Sequence, residues 1–159
     1  FMTRYTAPSD YGIADGDIWS YSPVTGQNIN GGQAGFTALG TTGAGYWLNR
    51  ASAGAISLDG CAVTAGSADV PIKSGWNLFG SPFDAATPWA DSGVAVISEG
   101  DPTLYTLSQA VEKGWISPSI YDWTGAAYTA RNHNSGFSLA RWSAYWIVAK
   151  RNLILRFSR

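Results

Sequence analysis

Few residues of this chain could break a covalent bond. Its 159 residues include one histidine and one cysteine, and its glutamates are Glu99 and Glu112. Glycoside hydrolysis normally needs two carboxylates, one acting as acid and the other as base or nucleophile. Glu112 falls on a predicted surface helix, and Glu99-Gly100-Asp101-Pro102 reads as a turn. Asp59, Asp84, Asp91 and Asp122 mostly stand beside Gly, Ser or aromatics in turn-like settings. A serine or cysteine nucleophile needs a base to activate it. The sole histidine, His133, lies in Arg131-Asn132-His133-Asn134-Ser135-Gly136, the composition of a hairpin loop, and reads as an exposed loop residue. One histidine excludes a metal centre built on several. Asp10, Asp15 and Asp17, with Gly12 and Gly16 between them, could hold calcium through oxygen ligands. Their spacing is not that of a helical calcium loop, and Asp-Gly-Asp is common in plain turns. No phosphate-cradling loop and no dinucleotide fingerprint occurs. The expectation is a protein that is not an enzyme and carries no cofactor.

Aromatic side chains are what the sequence has in surplus, with 8 Trp, 8 Tyr and 6 Phe. Neighbours on a strand point to opposite faces, so Trp76, one of Tyr46/Trp47 and one of Tyr145/Trp146 are expected in the core. The others are harder to bury. Trp89 follows Pro88 in a loop, Trp115 follows a helix-ending glycine, and Tyr121, Trp123 and Tyr128 flank a turn. Trp142 stands where the first half of the chain has Thr41-Thr42-Gly43. Exposed Trp and Tyr rings offer flat apolar faces to the C–H faces of sugars, with an N–H or O–H for the hydroxyls. Asp122, Arg131 and Asn132, with Asn134, could add polar contacts. The rings could instead fill gaps between small sheets, or form a protein–protein surface. Stacking on single-stranded nucleic acid would need a coherent basic groove, so no nucleic-acid partner is expected.

The elements that must position these rings are short strands. Charged residues are 13% of the chain and glycines number 19, which argues against disorder and against a helical bundle. The predicted class is all-β, antiparallel and sandwich-like, in two similar halves that form one sandwich or two abutting subdomains. Ile18-Trp19-Ser20-Tyr21 matches Ile120-Tyr121-Asp122-Trp123, and Gly35-Phe36-Thr37 matches Gly136-Phe137-Ser138. Gly45-Tyr46-Trp47-Leu48 matches Ala144-Tyr145-Trp146-Ile147, and Ala55-Ile56-Ser57-Leu58 matches Leu153-Ile154-Leu155. This order predicts a first repeat over residues 1–63, holding the strand half only and cut short at its start, and a complete second repeat over 64–159. Thr64 to Val70 is the expected junction. Ser108 to Lys113 reads as a short helix with Ser108 as N-cap and Gly114 past its end.

Gly75-Trp76-Asn77-Leu78 through Pro82, then Leu107 to Val111, Gly114-Trp115-Ile116, Ile120 to Trp123, Tyr128 and Ala144-Tyr145-Trp146 resemble the "GWNL … GYW" repeats. These are appended to large secreted or surface-attached bacterial and archaeal proteins, some carrying polysaccharide-active domains. The resemblance covers Lys73 to Phe157, and Ile18 to Leu58 for the strand half alone; it departs at Ala144, where the pattern has glycine. It implies a β-rich extracellular module tethered to a larger protein, with no defined catalytic site. The expected function is carbohydrate binding by aromatic stacking on a polysaccharide or cell-surface glycan. The alternative is a structural or adhesive repeat that contacts other proteins.

Charge and cysteine usage add little to that. From Arg131 onward there are six basic residues and no acid. They are scattered among core aromatics, which suits charges that keep an edge strand from aggregating better than a site for an anionic partner. Cys61 reads as a packing residue. No apolar run approaches the ~20 residues of a membrane span, so no membrane insertion is expected. Phe1 reads as mid-strand, as in a piece of something larger.

Overall fold

A computed structural model describes residues 7–51 and 63–159. The expected strands at 1–5 and 55–58, together with Asp59 and Cys61, lie outside the described residues. The fold is all-β, antiparallel and sandwich-like. In the first half, β1 (Ile18–Ser22), β2 (Gln27–Asn30) and β3 (Tyr46–Leu48) form a sheet in the order β2-β1-β3. The second half continues with β4 (Ser67–Ile72), β5 (Gly75–Gly80), β6 (Thr87–Pro88), β7 (Val94–Ser98) and β8 (Asp101–Thr106). The helix α1 (Leu107–Glu112) follows, then β9 (Ser119–Trp123), β10 (Tyr128–Asn132), β11 (Ser138–Leu139), β12 (Ala144–Ala149) and β13 (Leu153–Ser158). Two four-stranded sheets result, ordered β10-β9-β12-β5 and β4-β13-β7-β8, with a small β11-β6 pair between connections.

Alternation sets the core. On β12 the residues Tyr145, Ile147 and Ala149 are buried, and on β13 Leu153, Leu155 and Phe157 are. These meet Val70, Ile72, Val94 and Val96 from one sheet and Phe79 and Ile120 from the other in one cluster. Leu107 and Ala110 of α1 add to it. Among the described residues of the first half, Ile13, Ile18 and Leu39 form a second cluster, with Tyr11, Phe36 and Tyr46 packed against it.

In Gly75-Trp76-Asn77-Leu78-Phe79 the polar residue points inward and the tryptophan outward. Asn77 is buried because its amide is fully engaged. Lys73 N donates to its Oδ1 (2.9 Å), and its Nδ2 donates to Lys73 O (2.7 Å) and Gly75 O (3.0 Å). The side chain thus closes the β4–β5 turn, and an amide satisfied on all sides is cheap to bury. That phase puts Trp76 on the outer face, 46% exposed, and corrects its expected place in the core.

Three other expectations change. The segment 64–70 is not only a junction, because Ser67 onward is β4, paired with β13 along its length. The N-cap lies two residues earlier than expected: it is Thr106, its Oγ1 accepting from Gln109 N while Gln109 Oε1 accepts from Thr106 N. Ser108 N is bound instead by Asp91 Oδ1 (2.8 Å). At the other end Gly114, at φ +67°, closes the helix as expected, with Gly114 N bonded to Val111 O and Trp115 N to Ala110 O. Finally, β13 is an interior strand. Its Arg156 faces its register partner Asp69 in a bidentate pair (2.7 and 2.7 Å), so the charge is matched across strands rather than guarding an edge. Arg159 likewise pairs with Asp84.

The first half meets the second at β5. That strand pairs along its length with β12, and its other edge bridges Ala44 at Phe79. Gly80 N donates to Gly43 O (2.9 Å), and Gly45 N to Leu78 O (3.4 Å). A Cβ on Gly45 would lie 2.8 Å from Leu78 Cγ, 3.0 Å from Ala144 Cβ and 3.1 Å from the Leu78 carbonyl carbon. Glycine is required there, and a larger residue would lift β3 off β5. Gly45→Ala is expected to destabilise the fold by roughly 1–3 kcal/mol, measured by urea unfolding; an unchanged midpoint would contradict this packing.

Candidate functional site: an aromatic groove between the halves

Where β3 leans over the outer face of the β10-β9-β12-β5 sheet, a solvent-open groove of about 270 Å³ forms. Trp47 stands on the β3 side, Trp123 and Tyr128 on the other, and Trp142 with Ser143 at the entry to β12. Leu78, Ala144 and Trp146 also line it. The three wall rings meet edge to face: Trp47 lies 6.4 Å from Trp123 and 6.3 Å from Tyr128, and Trp123 lies 5.0 Å from Tyr128. Such contacts fix the orientation of the rings. Trp123 is 46% exposed, Tyr128 51% and Trp142 78%.

Local sequence explains each position. Trp123 and Tyr128 are register partners at the head of the β9–β10 hairpin, whose turn is held by Thr124 bonding Ala127 and by Gly125 at φ +94°. Trp146 lies opposite Tyr121 and against the edge of Tyr21 (ring centroids 4.7 Å), which ties β12 to β1. Tyr46 packs on Phe36 and donates its hydroxyl to Ala38 O (2.6 Å). Burial pushes its phenol up to about 12, with the Thr41 hydrogen bond working the other way.

Of the residues expected to bind ligand, Asp122, Trp123, Tyr128 and Trp142 come together in this groove. The rest do not. Trp89 is fully buried: Trp89 N bonds Phe137 O, the flanking β6 pairs with β11, and the indole packs on Phe79. No sugar can reach it, so its expected role is corrected. Trp115 sits elsewhere, against Tyr105 (4.9 Å), with Lys113 and Arg151 over its ring at 5.2 and 4.9 Å, so its face is already taken. Tyr121 packs on Trp76 outside the groove. Arg131 is spent on Asp122 (3.1 and 3.3 Å) and lies over Phe137. The Oδ1 of Asn132 accepts from Asn134 N, shaping the β10 turn. His133 is buried, not exposed, with Nδ1 at 3.3 Å from Pro118 O. Trp47 was not among the expected ligand residues. Its signal was the unspent half of the Tyr46/Trp47 alternation.

What the groove presents is aromatic rings rather than a pair of titratable groups. Its lining includes one carboxylate, Asp122, already held by Arg131, and no histidine. Asp10 Oδ2 accepts from Ala7 N, and Asp15 lies beside Gly32. Among the described residues no three His, Cys, Asp or Glu side chains gather as a metal site, and no helix is long and apolar enough to cross a membrane. The chain matches no family model, and searches among curated proteins and among solved structures return no match.

The Tyr46 hydroxyl gives a direct check on how tightly β3 is seated. Its folded pKa lies above its unfolded value near 10, so its contribution to stability is complete below pH 10 and is lost as pH climbs through about 12. A tyrosinate absorbance titration is expected to show a component near pH 12 that Tyr46→Phe removes; its absence in the wild type would contradict the burial.

Proposed function

We propose that this chain is a non-catalytic carbohydrate-binding module of an extracellular protein, an accessory that holds an attached domain near a polysaccharide by raising its effective concentration. The convergence of Trp47, Trp123, Tyr128 and Trp142 on one open groove carries this reading. Half-exposed rings with fixed orientation suit the apolar faces of sugar residues, while the single, already paired carboxylate suits binding without bond cleavage. The resemblance to the "GWNL … GYW" repeats points the same way, as does a plan of two copies of one motif. In support of that plan, the order β2-β1-β3 recurs as β10-β9-β12, and Trp19 lies opposite Trp47 as Tyr121 lies opposite Trp146.

A second reading, adhesion to another protein, draws on the outer-face pair Trp76 and Tyr121 (5.9 Å), which extends the aromatic surface beyond the groove.

Affinity electrophoresis through gels containing mixed-linkage β-glucan, xylan or galactomannan separates the two. Retardation by at least one glycan is expected, lost in Trp123→Ala and kept in Trp115→Ala. A wild type that migrates freely in every gel would sink the glycan reading and leave adhesion. Equal loss in both variants would show that the groove is not the site.

A further inference from the structure

Trp142 is the one described non-glycine residue at positive φ, +61°. A bulky L residue is strained there, and glycine is not. Strain at a buried tryptophan can be offset by the burial. Trp142 has no such offset, since it is 78% exposed.

The first half shows what the same stretch of backbone looks like without the ring. Setting Tyr46-Trp47 against Tyr145-Trp146 places Gly43 against Trp142, Ala44 against Ser143 and Gly45 against Ala144. Gly43 has the same left-handed conformation, φ +71°. The two stretches flank one residue of β5. A Cβ on Gly80 would lie 3.1 Å from Ser143 O and 3.7 Å from Ala44 O, the carbonyls of the matched pair. At Gly43 the side-chain direction is closed, because a Cβ would come within 2.2 Å of Val70 Cγ2. At Trp142 the side chain lines the aromatic groove.

We infer that Trp142 is the affinity-determining contact of the groove, a ring held at a glycine position of the fold, against the interest of stability, because it covers a bound sugar. The inference rests on the carbohydrate reading of the groove. It assigns the contact to the second half, since the matched position of the first half is a glycine packed on Val70. It also favours a neutral glycan, because the groove's one carboxylate is bound to Arg131.

The test compares wild type, Trp142→Ala and Trp142→Gly in affinity gels of mixed-linkage β-glucan, xylan and galactomannan, and in thermal unfolding. Both variants lose the ring, but only glycine relieves the backbone. Both are expected to lose affinity by about tenfold or more. The glycine variant is expected to melt roughly 2–4 °C above the alanine variant. A retarded wild type with equally retarded variants overturns the assignment while leaving the glycan reading intact. A glycine variant that melts with or below the alanine variant overturns the claim of strain. A wild type retarded by none of the three overturns the glycan reading and this assignment together.

Discussion

The close approach of the backbone around Gly45 to Leu78 is the contact on which the groove depends. β5 is paired with β12 along one edge and met at the other by Ala44 and Gly45. Only a backbone without a Cβ at 45 can come so near, with Leu78 and Ala144 already there. This seating brings Trp47 over the outer face of a sheet whose own rings, Trp123 and Tyr128, rise to meet it. Neither half has the groove alone. Trp47 comes from one, while Trp123, Tyr128 and Trp142 come from the other.

The second half can present rings outward because its inward face is otherwise filled. Two four-stranded sheets and α1 enclose Phe79, Tyr145, Phe157 and the aliphatics around them, and Trp89 is sealed in with them. Asn77 decides which face is which. By satisfying its amide on the turn between β4 and β5, it takes an inward place and sends Trp76 outward. The polar groups near the groove are neutralised in the same local way, Asp122 by Arg131. Asp122 is the one charged residue of the lining, so its pairing leaves the groove rings without an unpaired charge among them.

The sequence made the strand class, the short helix and most strand positions legible, because these follow from local chemistry. Alternating aromatics, Gly114 after a helical run and Pro82 after β5 are signals carried within a few residues. Two failures are local, Trp76 turned outward by Asn77 on the β4–β5 turn and the N-cap moved to Thr106 by its exchange with Gln109; the others involve partners distant in sequence. Trp89 after Pro88 reads as a loop until β11, some fifty residues on, covers it. His133 sits in a polar hairpin segment, yet it folds under Pro118. Arg156 looks like an edge-strand charge until residues 67–72 supply the neighbour and Asp69 the partner. The exposure of Trp123 and Tyr128 was legible because turn-flanking aromatics have little local surface to bury them, and that of Trp142 because the first half has no ring in its place. Trp115 met the same description, and only the approach of Arg151 and Lys113 distinguishes it.

Indole N–H resonances report on each tryptophan separately, and their response to a soluble polysaccharide tests the central claim most directly. In a ¹H–¹⁵N spectrum titrated with mixed-linkage β-glucan, xylan or galactomannan, the groove account requires the Trp47, Trp123 and Trp142 indoles to shift together. Trp89, sealed in the core, and Trp115, under its cations, must stay in place. Shifts confined to Trp115 and Trp76, or a spectrum unmoved by every glycan, would contradict it.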